Sequence, residues 1–94
     1  MSHLELVRRI PRSMYGMLSE KLMDALLEAK GGDNVPSSLA KTILYYWQRD
    51  QLDSEAGVAN LLHAAELADP ARTGAVLDEL GLEEIRLAMR LVEP

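Results

Sequence analysis

His63 and Glu66 stand three residues apart, which on a helix places an imidazole and a carboxylate on one face, one turn from each other. A His-x-x-Glu pair of this kind can supply two ligands to a metal ion. A site needs at least a third ligand, and the spacing nominates none. The other histidine, His3, lies near the N-terminus, and the chain has no cysteine. The pair therefore reads as surface neighbours, and neither a metal nor a cofactor is expected. Ser13, Ser37, Ser38 and Ser54 all fall at helix starts, where a hydroxyl satisfies free backbone N–H groups. No Gly-x-Ser-x-Gly elbow, Walker A loop or Gly-x-Gly-x-x-Gly is present. Gly31-Gly32 lacks a following Lys-Ser/Thr and reads as a helix C-cap. Asp50, Asp53 and Glu55 cluster beside Trp47, but without the alternating oxygen ligands of a calcium loop. Asp50 projects onto the face of Ile43 and Trp47, where it is expected to bond the Trp47 indole N–H or a neighbouring helix N-terminus. No convergent catalytic set emerges, and the chain is not expected to be an enzyme.

The elements that would carry these residues are helical. Leu6, Val7 and Ile10 recur at helical spacing before Pro11, so residues 1–12 read as a short helix or an arm. Ser13 is the expected cap of a helix over about 14–30, whose main stripe is Tyr15, Leu18, Leu22, Ala25, Leu26 and Ala29. Further helices are expected over about 37–51 and 54–68, the latter capped by Asp53. A broken pair covers 70–80 and 82–92. Asp69-Pro70 supplies a cap followed by proline at the first helical position, and Gly81 separates the two halves. No segment alternates as a strand would. The expected architecture is all-α: one domain over 1–94, a compact bundle of four main helices plus the short N-terminal segment.

Composition agrees. The 94 residues are 48% hydrophobic and 27% charged, which is a globular balance with room for one small core. The apolar residues are mainly Leu, Ala, Met and Val, which favours helix over strand. The absence of cysteine removes disulfides and suggests a cytoplasmic setting. No apolar run approaches the ~18 residues of a membrane span, and no signal-peptide pattern opens the chain. The net charge of −5 argues against a general nucleic-acid binder. Residues 1–12 nevertheless gather Arg8, Arg9 and Arg12 against Glu5 alone. Such a basic arm suits either an anion contact or a tether onto the acidic body.

Residues 39–62, from Leu39-Ala40-Lys41-Thr42-Ile43-Leu44-Tyr45-Tyr46-Trp47 to Leu52-Asp53-Ser54-Glu55-Ala56-Gly57-Val58-Ala59-Asn60-Leu61-Leu62, resemble the opening of a helix-turn-helix domain. The resemblance implies a DNA-reading second helix, with the arginine arm assisting. The pattern departs at His63, where glycine is usual, and at Asp69, where an apolar anchor is usual. The segment that would read bases, 71–81, holds Arg72 against Asp78 and Glu79, and phosphates would repel it. The Leu80-Gly81-Leu82-x-x-Ile85 start of the last helix resembles sterile-alpha-motif domains, whose upstream spacing is not matched. No family follows from either.

Tyr45, Tyr46 and Trp47 are consecutive, in a chain with no phenylalanine. On a helix they sweep about 200°, more than one core-facing stripe covers. The angles predict Trp47 as the core anchor beside Ile43, Tyr46 at the seam and Tyr45 outward with Leu44 between the faces. Met23 and Leu27, and likewise Leu87 and Leu91, form second apolar stripes on their own helices. Leu44, Tyr45, Met23, Leu27, Leu87 and Leu91 are therefore the candidate interface. The expected function is a small non-catalytic protein–protein interaction module, self-associating as a twofold dimer by default or part of a larger assembly. The alternative is a nucleic-acid-associated domain using Arg8, Arg9 and Arg12.

Overall fold

The computed structural model describes residues 1–92. Six α-helices follow in order: α1 (His3–Val7), α2 (Tyr15–Glu28), α3 (Ser37–Gln48), α4 (Glu55–Ala68), α5 (Pro70–Glu79) and α6 (Glu83–Ala88). Short 3-10 turns occupy Arg12–Met14, Gly32–Asn34 and Met89–Leu91. No strand occurs among the described residues, so the all-α bundle with a short N-terminal helix is the observed fold.

α4 is the hub. It packs against α1, α2, α3 and α5, while α6 leans on α5. Its sequence explains that position. Val58, Leu61 and Leu62 are fully buried, and Ala59, Ala64, Ala65 and Ala68 let neighbouring helices approach closely on several sides. Leu18 and Leu22 from α2 and Leu77 from α5 complete the centre at zero exposure. The N-terminal segment belongs to this core, with Leu6 and Val7 fully buried and Ile10 nearly so. The Tyr15 hydroxyl donates to the Val7 carbonyl at 2.9 Å and ties α1 to α2. Burial pushes the Tyr15 phenol above its ordinary value, and the Glu55 carboxylate adds to the rise.

Several local expectations change. Ser13 lies in the 3-10 turn, and α2 begins without a side-chain cap. Ser37 and Ser38 fall inside the first turn of α3, which follows Pro36 uncapped. The α4 cap is Ser54, not Asp53, and its hydroxyl accepts from the Gly57 N–H at 3.1 Å. Asp69 caps α5 as its sequence implies, accepting from Arg72 N–H at 3.1 Å with Pro70 next. Gly31 does not end a helix in the left-handed conformation. α2 stops at Glu28, followed by extended Ala29. Gly31 is required for space instead, since a Cβ there would lie 2.8 Å from the Ala68 carbonyl oxygen. Asp50 (φ 54°) and Gly81 (φ 74°) take the left-handed conformation. Each closes a helix with the paired bonds of a Schellman motif: Gln51 N–H to Tyr46 O and Asp50 N–H to Trp47 O, then Leu82 N–H to Leu77 O and Gly81 N–H to Asp78 O. Asp50 is thus a backbone terminator and not a partner of the indole.

Candidate interaction surface

α2 and α3 both rest on α4 but splay apart from one another. The space between them is an open groove of about 320 Å³ lined by Met23, Leu26, Leu27, Val35, Ala40, Ile43, Leu44 and Trp47. Every lining residue is apolar. Ile43 at the floor is buried, whereas Leu27 is 76% exposed, Trp47 61% and Leu44 47%. Three of the predicted interface residues, Met23, Leu27 and Leu44, therefore share one wall-to-wall surface.

The rotation of α3 explains the groove. Its buried and half-buried residues are Leu39, Thr42, Ile43 and Tyr46, a face centred about 50° from the one that the apolar count favours. Ala40, Leu44 and Trp47 are turned outward as a result. Trp47 is thus not the core anchor expected of it. Tyr46 is at the seam, as expected, and packs edge-on against Tyr45 with ring centroids 5.5 Å apart. Tyr45 is half exposed, on the side of α3 away from the groove, with the Arg49 guanidinium 4.5 Å from its ring centroid. Leu87 and Leu91 are exposed near the C-terminal end, on α6 and the turn after it, and do not line the groove. Leu26, Val35, Ala40 and Trp47 are groove residues that the angular reading did not assign. An alternative α3 rotation, with Tyr46 and Leu39 inward, would have revealed Trp47.

Charge borders the groove without entering it. By the 100° step of a helix, Glu20 and Asp24 lie just outside Leu27 on α2, and Lys41 lies just outside Leu44 on α3. All three are exposed, and none is in an ion pair among the described residues. Farther round the same flank, Lys21 pairs with Glu79 at 3.2 Å and Glu28 with Arg72 at 2.5 Å, and Asp24 shares a hollow with Lys21 and Arg72 on the α5 side.

The arginine arm folds back on its own chain. Arg8 and Arg12 both bond Glu55, at 3.2 and 2.7 Å. Arg9 is exposed and borders a hollow with Glu83 and Glu84. The basic cluster is thus largely answered by local acids.

The two histidines, distant in sequence, meet. His3 on α1 and His63 on α4 stack with centroids 4.4 Å apart and planes 20° from parallel. His3 Nε2 lies 3.3 Å from Glu66 Oε2, and because a carboxylate only accepts, the imidazole N–H donates. The third group that the spacing of His63 and Glu66 did not supply comes from the tertiary fold. Nearly parallel rings do not aim their in-plane lone pairs at one point, however, and no metal-holding cluster of three such groups occurs among the described residues. No helix among them is long and apolar enough to cross a membrane.

These features, a six-helix all-α globule with an apolar groove and a folded-back arm, define the class of object. No family model, curated protein or solved structure matches the chain.

Proposed function

We propose that this chain is a non-catalytic interaction module that pairs with a second copy of itself through the α2–α3 groove. The observation that carries the reading is the concentration of exposed apolar side chains there with no charge among the lining residues. Leu27, Leu44 and Trp47 alone leave roughly 400 Å² of side chain open to water, within the range of the largest patch on a typical monomer. A standard interface takes about 800 Å² from each partner, around 65% of it apolar in homodimers, which is about 500 Å². The groove with its half-buried neighbours Met23 and Val35 matches that requirement.

The bordering charges suit a twofold pair. An axis running along the groove sets the α2 flank of one copy against the α3 flank of the other, so Glu20 faces Lys41 of the second copy. Self-pairing of two chains of net charge −5 needs such local complementarity. A cysteine-free module of this kind fits a reducing cytoplasm. The nucleic-acid reading loses support because Arg8 and Arg12 are engaged by Glu55.

Sedimentation at micromolar concentration tests the pairing. The expected result is a dimer, with Leu27→Glu a monomer of unchanged helicity. A monomer at every micromolar concentration refutes self-pairing. A dimer that survives Leu27→Glu and dissociates with Leu91→Glu refutes the groove and moves the interface to the C-terminal end.

A further inference from the structure

The histidine cluster stands apart from the groove and independent of the pairing. It lines a separate hollow of about 570 Å³, with His3 from α1, His63, Glu66 and Leu67 from α4, Pro70 from α5, and Met89 and Val92 beyond α6. The titratable groups on it are the two imidazoles and one carboxylate. α5 and the segment after α6 contribute only apolar side chains to it among the described residues. The His3 side chain is only 15% exposed. α1 has five residues, too few to hold helical shape alone, so its docking on α4 keeps it folded.

We propose that His3, His63 and Glu66 form a proton-operated latch holding α1 on α4, which protonation of His63 loosens. The latch is closed by the His3 Nε2–H, which donates to the Glu66 carboxylate at 3.3 Å. A proton on His63 puts a positive ring face to face with the His3 ring, 4.4 Å away, while the one carboxylate of the hollow is already engaged by His3. Burial, and then His3, lower the His63 pKa below its ordinary value, with Glu66 opposing them. The unfolded chain takes up this proton more readily than the folded one. His63 therefore contributes full stability above about pH 6.5, and that contribution is lost as pH falls through its depressed value. The ligand of this site is the proton, and the element it moves is the N-terminal helix.

Hydrogen exchange reads the latch directly. The Leu6 and Arg8 amides donate to the Ser2 and Leu4 carbonyls at 3.2 and 3.1 Å, and they exchange when α1 opens. After correction for intrinsic rates, their protection should be partly lost between about pH 7 and pH 5, because the open form takes up the His63 proton more readily than the docked form. In His63→Gln the fall should be absent. Identical pH profiles in the two proteins overturn the proposal. Imidazole NMR titration of the unmodified protein gives a second reading that needs no His63 variant. His63 should take its proton at lower pH than a histidine in the unfolded chain. A His63 that takes its proton at the same pH as in the unfolded chain, or higher, overturns the proposal as well.

Discussion

Trp47 is the one tryptophan in the chain, and it separates the two roles a large aromatic can play. At 61% exposure it leaves about 150 Å² outside the fold and covers about 100 Å² within it. At about 25 cal/mol per Å², the covered part contributes at most ~2.5 kcal/mol to folding, an upper bound because the unfolded chain is itself partly compact. Trp47→Ala should therefore cost under about 2 kcal/mol in chemical denaturation, against the 3–5 kcal/mol typical of a buried tryptophan. The outer 150 Å², half covered in a pair, contributes about 2 kcal/mol per copy and about 4 per dimer, a roughly thousandfold change in Kd. The same residue reports the event. Its fluorescence should move to the red on dilution, as the indole returns to water, with a midpoint that follows the dimer fraction seen by sedimentation. A loss of 4 kcal/mol or more in the stability of monomeric Trp47→Ala would show that the indole is a core anchor after all. An emission maximum unchanged by dilution of a protein that does dissociate would show that the ring is outside the interface.

Three further outcomes test the fold. Leu61→Ala, in the fully buried centre of the hub helix, should cost about 2–5 kcal/mol in urea denaturation. Asp50→Gly should raise stability by about 0.5–1 kcal/mol in the same assay, because glycine accepts the left-handed φ of 54° without a Cβ penalty. Glu55→Gln removes the partner of Arg8 and Arg12, whose side chains are 58% and 79% exposed, so thermal unfolding should register a loss below about 1 kcal/mol.

The helices were legible because their signals are local. Apolar spacing and the Asp69-Pro70 cap marked the helices and most of their starts within a residue, whereas α3 ends at Gln48, short of the expected 51, and α6 at Ala88, short of the expected 92. In the stripe expected of α2, Tyr15, Leu18, Leu22 and Ala25 are buried as spaced. What the sequence did not carry is how a helix with apolar residues on more than half its circumference chooses which face to bury. α3 packs on α4 with Leu39 and Tyr46 turned inward and Trp47 outward, a choice that its own spacing does not settle. For the same reason Leu27, Leu44 and Tyr45 were identified as exposed while Trp47 was not. The meeting of His3 with His63 was illegible for a different reason: it depends on where α1 docks, sixty residues from its partner, and no spacing rule spans that separation.

α3 touches the body through a single buried residue, Ile43, with Leu39, Thr42 and Tyr46 only half covered. It is the least anchored of the longer helices, and it forms one wall of the groove. Local opening should begin there, at a free energy well below that of global unfolding. Association would then have to order α3 as well as cover it, which weakens the pair by the fraction of time α3 is undocked. In return, each bound copy would hold its neighbour's α3 in place, and the melting temperature would rise with protein concentration.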